Sequence, residues 1–507
     1  MKDASMRCFL GIDLGTSAAK VIVVDESGRQ RALRAQGYPI LHPQPGYAEQ
    51  SPEVWWKSTC DCIREMLLTE GLSVEEIKSI GLSGQMHGLV LIDRHGRPLR
   101  NAIIWPDRRT AAICAEKAGD EKLFHAITGL PLATGFLAPS LEWVRQHEPE
   151  VYEEASCFML PKDYVRFRLT GRIATEPTDA SGTFLFDFSK RQWSPEMLDA
   201  FHVADRLIPE MVETVDVAGN LTREAALLTG LPEGTPVIAG GSDQTMAALA
   251  LGVDRPGKVA VAISSGGTVI TPIDTPRFDS RVHTLCHAYD GQWLMMGATL
   301  AAGLSLSWAG EKVFTPLPAA GDAPAAVDME ELSRWAGDIA AGANGLFFAP
   351  YLNGERTPYM DSNARGCFVG LTLSHTRAHM ARAIMEGVAY SLVESVEIFR
   401  ELGLPVNKVS CYAGGSRSRT WRQILADVLD TPVHWQQFAD YSALGAAVAG
   451  ARGLGVVIPL ENFHGPANEI LQPLPENAKT YGERRGTFKK IYLRLRDVFD
   501  EISRFPA

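Results

Sequence analysis

No unbroken apolar stretch in this 507-residue sequence reaches about 18 residues, the length that a membrane-spanning helix needs. The sequence also has no sustained run of lysine and arginine, and its net charge of −11 opposes non-specific binding to nucleic acid. The eight cysteines form no C-x-x-C pair, which predicts reduced thiols. These absences predict a cytoplasmic protein that binds neither a membrane nor nucleic acid, and they leave a homodimer open.

The length and the composition predict two globular α/β domains. A chain of 507 residues exceeds the size at which one hydrophobic core keeps growing. Hydrophobic residues make up 46% of the sequence, and strand-like runs alternate with helical patterns, which favours layered α/β architecture. We place the division after residue 252, so that residues 1–252 and 253–507 form the two domains.

A tight turn between two β-prone runs, residues 9–12 and 21–25, has the composition of a phosphate-binding hairpin. Glycine lets backbone N–H groups approach a phosphate, hydroxyls donate to its oxygens, and a carboxylate can hold Mg²⁺ through water. The spacing is not that of a Walker loop, and the turn alone also fits an ordinary hairpin. The residues that would bind the phosphates of ATP are Gly15, Thr16, Ser17 and Lys20, and Asp13 is the carboxylate that would hold Mg²⁺.

A second turn of this kind lies about half a chain further on, which a duplicated domain explains most simply. Two such hairpins suit a nucleotide in a cleft between domains, where ligand sites preferentially form. The candidate residues of the second turn are Ser265, Gly266, Gly267 and Thr268.

One carboxylate, Asp243, follows a buried strand-like run and begins an apolar helix. A helix cap alone could account for an aspartate there. Together with Asp13, however, it supplies what metal-assisted phosphoryl transfer needs, a Mg²⁺ anchor and a base for the proton of an attacking hydroxyl. The neighbouring Gln244 is a candidate substrate ligand.

Four further loops carry polar or small residues that suit a polyol or an adenine ring. The candidate polyol ligands are Gln85, Met86, His87, Trp105 and Asp107, although ordinary surface turns also contain such residues. Small-residue turns that could accept a flat adenine contain Gly414, Gly415 and Ser418, and also residues 441–447. Close helix–strand packing is the alternative explanation for Gly445.

Together these motifs resemble those of the FGGY carbohydrate kinases, and within that family the xylulokinases. The resemblance extends from about Phe9 to Phe488, and the C-terminal signature of the family fits between Gly366 and Glu386. The segments that carry it are residues 11–17, 83–88, 160–165, 240–244, 350–358 and 414–418.

The resemblance implies two ribonuclease-H-like domains of the actin and sugar-kinase type that flank an active-site cleft. It implies Asp243 as the general base and Asp13 with Asp243 at Mg²⁺. It places Gln85, Met86 and His87 at the sugar, and Gly414 with Gly415 at the adenine. The expected reaction is the ATP-dependent phosphorylation of D-xylulose to D-xylulose 5-phosphate.

Three features depart from the usual xylulokinase pattern. The second hairpin has Ser264-Ser265-Gly266 where Gly-Thr-Ser is usual, Ser140 stands in place of a lysine, and Gln244 in place of an asparagine. Since hydroxyls and glycine are redistributed rather than lost, we expect kinase activity to survive. The alternatives are a kinase for ribulose or a sugar alcohol, a non-kinase actin-like ATPase, and a silent sugar sensor, although a sensor would be expected to lack Asp13 or Asp243.

Overall fold

The computed structural model describes residues 6–289, 291–315, 327–438, 440–460 and 468–505. Within these ranges, no helix is both long enough and apolar enough to span a lipid bilayer.

Among the strands of the two large sheets are β1 (Cys8–Leu14), β2 (Ala18–Asp25), β3 (Gln30–Gly37), β4 (Ile77–Gly84), β5 (Val217–Asn220), β6 (Pro236–Ile238), β7 (Gly241–Ser242), β8 (Gly257–Ile263), β9 (Gly267–Ile273), β10 (Trp293–Thr299), β11 (Val406–Tyr412), β12 (Val433–Gln436) and β13 (Asn468–Leu471). Shorter strands are Glu49–Gln50, Val90–Ile92, Ala102–Ile103, Cys157–Met159, Ala174–Thr175, Phe186–Asp187, Gln192–Trp193, Glu210–Met211, His283–Cys286, Phe347–Ala349 and Cys367–Val369.

The helices are α1 (Pro52–Thr69), α2 (Ala111–Glu116), α3 (Glu121–Thr128), α4 (Leu137–His147), α5 (Pro149–Glu154), α6 (Pro161–Thr170), α7 (Pro177–Ala180), α8 (Pro195–Ala200), α9 (Arg223–Thr229), α10 (Asp243–Ala250), α11 (Gly303–Trp308), α12 (Met329–Gly337), α13 (Arg377–Glu401), α14 (Arg419–Leu429), α15 (Tyr441–Arg452) and α16 (Pro475–Ile502).

The chain divides into two compact units, each built from several segments. The first contains Met1–Asp254, Ile273–Leu294 and Phe438–His464, and the second contains Arg255–Pro272, Met295–Gln437 and Gly465–Ala507. The first break lies close to the predicted division after residue 252. The two later segments of the first unit differ from the prediction, because a single division cannot assign segments that return to an earlier unit.

The first unit is built on a sheet with the strand order β5-β6-β4-β1-β2-β3, and β7 also pairs with β4. β1 is buried along its whole length, which explains its nearly continuous apolar sequence. α1 contributes Trp55, Ile63 and Met66 to the core of this unit.

α15 packs against β1, β2, β4 and α10 within the first unit. The approach is so close that a Cβ atom on Gly11 would lie 2.1 Å from the Ala443 carbonyl oxygen, and one on Gly81 would lie 1.9 Å from that of Ala446. Only glycine fits at these two strand positions. Likewise, a Cβ on Gly445 would lie 1.8 Å from the Met246 carbonyl oxygen, so close packing, the alternative to an adenine turn, accounts for Gly445.

The second unit contains strands in the order β10-β9-β8-β11-β12-β13. The pairing follows the same plan as in the first sheet. β8 is antiparallel to β9 and parallel to β11, just as β1 is antiparallel to β2 and parallel to β4. A duplicated domain, inferred from the two hairpin motifs, predicts this repetition.

Candidate active site

The carboxyl ends of three neighbouring strands lie at one edge of the first sheet. β4 pairs in parallel with β1 and with β7, and the register places Asp13 and Gly241 opposite the same residue, Ser83. Asp243 follows β7 directly as the first residue of α10. The strand order therefore brings Asp13, Asp243 and the loop after β4 to the same edge, where α/β sheets typically bind their ligands.

Asp13 is a buried carboxylate in a negatively charged environment. It is 3% exposed and accepts a hydrogen bond of 2.8 Å from Ser83 Oγ. Burial and the charges of Asp440 and Asp243 raise the pKa of Asp13 to about 7, against the opposing effect of Lys20. Lys20 Nζ lies 3.7 Å from Asp13 Oδ2. An additional cation at this edge would stabilise the ionised form of Asp13.

Asp440 is a residue of this edge that the sequence analysis missed. Its Oδ2 accepts a hydrogen bond of 2.6 Å from Lys20 Nζ, and its Oδ1 accepts one of 2.7 Å from the Ala443 N–H, which caps α15. An aspartate before a helix was a visible capping signal. Nothing in the sequence, however, places position 440 beside position 20.

Asp243 is half-buried, and its Oδ1 accepts a hydrogen bond of 2.8 Å from the Gln244 N–H. Burial raises its pKa to about 6, against the opposing effect of the hydrogen bonds from Gln244. Ser442 Oγ donates to the Asp243 carbonyl oxygen at 3.1 Å. The carboxylate is therefore ionised at neutral pH, yet it is more basic than an ordinary aspartate, which suits a general base.

The backbone just before Asp243 is held by two threonines that the sequence analysis also missed. The Ser242 N–H donates to Thr178 Oγ1 at 2.9 Å, and the Gly240 N–H donates to the Thr214 carbonyl oxygen at 3.0 Å. Both hydroxyls donate in turn to the buried carboxylate of Glu176, at 2.9 Å and 2.8 Å. A single buried carboxylate thus fixes both sides of the turn that presents Asp243.

The loop after β4 places Gln85, Met86 and His87 beside the two aspartates in the first unit. Gln85 Nε2 donates to Gln50 Oε1 at 2.9 Å, whereas Gln85 Oε1 is buried and accepts no hydrogen bond from the described residues. His87 has a φ of 71°, and its Nδ1 lies 2.6 Å from the Gly182 carbonyl oxygen. That carbonyl can only accept, so Nδ1 carries the proton. Met86 is buried.

Trp105 and Asp107 have different environments although they are close in sequence. Trp105 is 40% exposed, and its Nε1 donates to Thr16 Oγ1 at 2.9 Å. Asp107 is 1% exposed and accepts hydrogen bonds from the Ala48 N–H at 2.7 Å and from the Arg109 guanidinium. Trp105 can therefore offer a ring to a ligand, whereas the Asp107 oxygens already have protein donors.

Gln244, the remaining candidate substrate ligand, is half-buried beside Asp243.

The turn between β1 and β2 is accessible at its hydroxyls. Ser17 is exposed and Thr16 is half-buried, while the Gly15 N–H donates to the Ala18 carbonyl oxygen at 3.0 Å. Lys20, the third residue of the return strand β2, pairs with Asp13. Their predicted roles in phosphate binding remain predictions.

The corresponding turn between β8 and β9 is also exposed, at Ser264 and Ser265. The N-terminal end of α11 supports it, since the Ala302 and Leu304 N–H groups donate to the Ser265 carbonyl oxygen at 2.9 Å and 3.0 Å. A Cβ on Gly266 would lie 2.9 Å from the Thr299 carbonyl oxygen. Gly267 and Thr268 begin the return strand β9.

Gly414 and Gly415 follow β11, the parallel neighbour of β8, at the edge that carries the second turn. A Cβ on Gly414 would meet no described atom within 4 Å, whereas one on Gly415 would lie 2.4 Å from Ile263 Cγ2. The surface above Gly414 is therefore open to a flat ring. Ser418 Oγ caps α14 by accepting from the Trp421 N–H at 3.1 Å, and it contacts Ser333 Oγ at 2.6 Å.

Comparisons with known proteins match the chain along nearly its whole length. The N-terminal domain of the FGGY family of carbohydrate kinases matches residues 8–250, and the C-terminal domain of that family matches residues 261–454. A protein named xylulose kinase from Bacillus subtilis is 38% identical, over 99% of this chain and 99% of its own length.

Solved structures agree in fold but carry different names. The crystal structure of xylulose kinase from Rhodospirillum rubrum has a TM-score of 0.88 at 31% identity, covering 97% of this chain and 100% of that one. A gluconate kinase from Lactobacillus acidophilus has a TM-score of 0.89 at 26% identity, covering 98% of this chain and 100% of its own. The predicted fold class, α/β with two sugar-kinase-type domains, is confirmed, as is the predicted family: this chain belongs to the FGGY family of carbohydrate kinases.

Proposed function

We propose that this protein transfers the γ-phosphoryl group of ATP to D-xylulose and so forms D-xylulose 5-phosphate. The observation that carries the proposal is the pairing of Asp13 and Asp243 at one sheet edge, in a chain 38% identical to a xylulose kinase over nearly its whole length. A non-kinase actin-like ATPase or a silent sensor needs no such pair beside a polar sugar loop.

Asp243 is the general base in this proposal. Its carboxylate accepts the proton of the C5 hydroxyl of D-xylulose as the hydroxyl oxygen forms a bond to the γ-phosphorus and the bond from that phosphorus to ADP breaks. The raised pKa of about 6 supports this role, because the group is ionised at neutral pH and still attracts a proton. Glu176, through its two threonines, holds the turn that orients Asp243.

Asp13 and Asp243 fit Mg²⁺, which prefers oxygen ligands and commonly binds through one or two carboxylates together with phosphates and water. The described residues contain no group of three or more metal-ligating side chains, which agrees with an ion held partly by phosphate oxygens and water. When bound, Mg²⁺ would neutralise charge on the phosphate oxygens. Asp13, whose pKa is raised to about 7, would gain the cation that its environment favours.

The remaining candidates divide between sugar and nucleotide. Gln85 offers a buried amide oxygen to a sugar hydroxyl, while His87, Trp105 and Gln244 line the same strand edge or its neighbouring loops. Thr16, Ser17 and Lys20 are proposed ligands of the phosphates, as are the residues of the second turn. Gly414 and Gly415 are proposed to contact the adenine, with Ser418 at the start of the helix that follows.

An assay of ADP release with a panel of pentuloses, hexuloses, alditols and gluconate tests the substrate. A site that pairs buried polar groups rejects an analogue that leaves them unpaired, in favourable cases by roughly 10⁴, so we expect one sugar to exceed the others clearly. The expected sugar is D-xylulose. Turnover of ribulose or an alditol at least about tenfold better would contradict the substrate while leaving a kinase.

The second candidate function is phosphorylation of another sugar or sugar acid. The similar TM-scores for a xylulose kinase and a gluconate kinase favour keeping it in the test, because the fold does not distinguish their substrates.

His87→Ala should lower kcat/KM for the true sugar far more than it changes the affinity for ATP. The cytoplasmic location and the homodimer stay predictions.

A further inference from the structure

The segment 350–358 belongs to the motifs that identify the family, yet the proposed mechanism assigns it no role. One of its residues, Glu355, is 2% exposed and lies within the second unit. A buried carboxylate normally needs partners for its oxygens. The partners of Glu355 show which part of the unit it holds in place.

Glu355 binds the segment that follows β10. Its Oε2 accepts a hydrogen bond of 2.6 Å from Thr299 Oγ1, and its Oε1 accepts one of 3.3 Å from the Leu300 N–H. Ser391 Oγ and the Arg356 N–H also donate to the carboxylate, at 3.2 Å and 2.7 Å. The carboxylate therefore fixes residues 299 and 300 through a side-chain and a backbone contact.

Residues 299–304 in turn support the turn between β8 and β9. The Thr299 carbonyl oxygen packs against Gly266 so closely that a Cβ atom on Gly266 would lie 2.9 Å from it. The Ala302 and Gly303 N–H groups donate to the carbonyl oxygens of Ser265 and Ser264, at 2.9 Å and 2.7 Å. Displacement of residues 299–300 would thus be passed to the backbone of the turn.

We propose that Glu355 is a positioning residue for the second phosphate-binding turn, acting through Thr299 and Leu300. The proposal rests on the proposed function for the role of that turn in nucleotide binding. Its consequence is a selective one. Loss of the carboxylate should weaken nucleotide binding and leave the affinity for sugar nearly unchanged, because the sugar ligands belong to the first unit.

Four variants test this position. Glu355→Ala removes every acceptor, whereas in Glu355→Gln the amide oxygen can accept from the Leu300 N–H and the amide group can donate to Thr299 Oγ1. Thr299→Val removes one donor at almost constant volume. The matched control is Glu394→Gln, because Glu394 is also buried in the second unit, at 4% exposure, but its Oε1 accepts from Tyr359 instead.

The measurements are KM for ATP, KM for the sugar, and the Kd of ADP by calorimetry. We expect Glu355→Ala to raise KM for ATP and the Kd of ADP about tenfold or more, with KM for the sugar within about twofold. Thr299→Val should raise the ATP constants by roughly threefold, and Glu355→Gln should recover most of the loss. Glu394→Gln should match the wild type.

Two results would overturn the proposal: a folded Glu355→Ala variant with the nucleotide constants of Glu394→Gln, or a parallel rise of both KM values. If Glu355→Ala fails to fold, Thr299→Val decides, and unchanged nucleotide constants in that variant overturn the proposal. Absence of sugar phosphorylation by the wild type would instead refute the proposed function. The calorimetric comparison of the variants would then still test Glu355.

Discussion

The two sheets share one strand plan but differ in the charge of their hairpins. In the first hairpin, the cross-strand pair before the last is Asp13 with Lys20, and in the second hairpin it is Ala262 with Thr268. The backbone pairing is the same, and only one copy carries ionisable groups at this position. The duplicated fold therefore supplies two turns, and the mechanism that we propose assigns the chemistry of the proton and the metal to the first sheet.

Removal of the base should have the largest effect. Asp243→Asn should fold normally and lose about 10²–10⁴ in kcat, because an amide cannot accept the hydroxyl proton. Ser265→Ala, in the uncharged turn, should cost far less. Single-turnover kinetics with circular dichroism on both variants would compare the two copies, and equal losses would remove the distinction between them.

Removal of the buried carboxylate of the first hairpin should come next. Asp13→Asn should raise the Mg²⁺ concentration for half-maximal rate by about tenfold or more, because the ion loses an anionic ligand. Asp93→Asn, a buried aspartate that binds its own turn through Arg97, is the matched control. An Mg²⁺ titration that is unchanged in Asp13→Asn would contradict the metal assignment.

The pH dependence should be opposite for activity and for stability. Since Asp243 must be ionised to act and its pKa is raised to about 6, kcat should fall about tenfold per unit below that pH. The raised pKa values of Asp243 and Asp13 mean that the folded state binds more protons than the unfolded state between about pH 4 and pH 7. The contribution of these two groups to the free energy of unfolding of the ligand-free protein should therefore rise as pH falls through this window.

Thermal unfolding of the ligand-free wild type and of Asp13→Asn across this range would check the stability. The variant should show a flatter dependence of Tm on pH. If lowering the pH through this range lowered the Tm of the wild type but not that of Asp13→Asn, the raised pKa of Asp13 would be contradicted.

The smallest effect should separate the supports of the two edges. Thr178→Val removes the hydroxyl that accepts from the Ser242 N–H, so kcat should fall by roughly threefold to tenfold while KM for ATP is unchanged. Thr299→Val in the second unit should change KM for ATP and not kcat. If the same kinetic parameter changed in both variants, the two sheet edges would not have separate roles in catalysis and nucleotide binding.

The sequence predicted local elements and strand-end motifs well, because these depend on short patterns. One helical pattern predicts a helix from about Pro52 to Glu70, which the structure shows as α1, and another predicts a helix from about Arg377 to Leu402, which is α13. The sequence also predicts a last helix from about Gly482 to Ile502, whereas α16 begins earlier, at Pro475, because proline is favourable at a helix start.

Contacts between segments that lie far apart in the chain were not predictable from one sequence. Residues 441–447 were interpreted as a small-residue turn, and they form the beginning of α15, whose small residues permit close contact with β1 and β4. Asp440 and the pair of threonines on Glu176 lie far from Asp13 and Asp243 along the chain. Their roles arise from contacts that no short pattern encodes.

The late position of α15 has a consequence for how the protein is made. The first sheet packs closely against α15 at Gly11 and Gly81. The ribosome synthesises this helix only after residue 440. During translation, part of the apolar surface of β1 and β4 therefore stays uncovered while most of the second unit is synthesised. Since such surfaces favour aggregation, the nascent chain should depend on protection by chaperones until nearly nine-tenths of it has emerged, roughly the point at which α15 is complete.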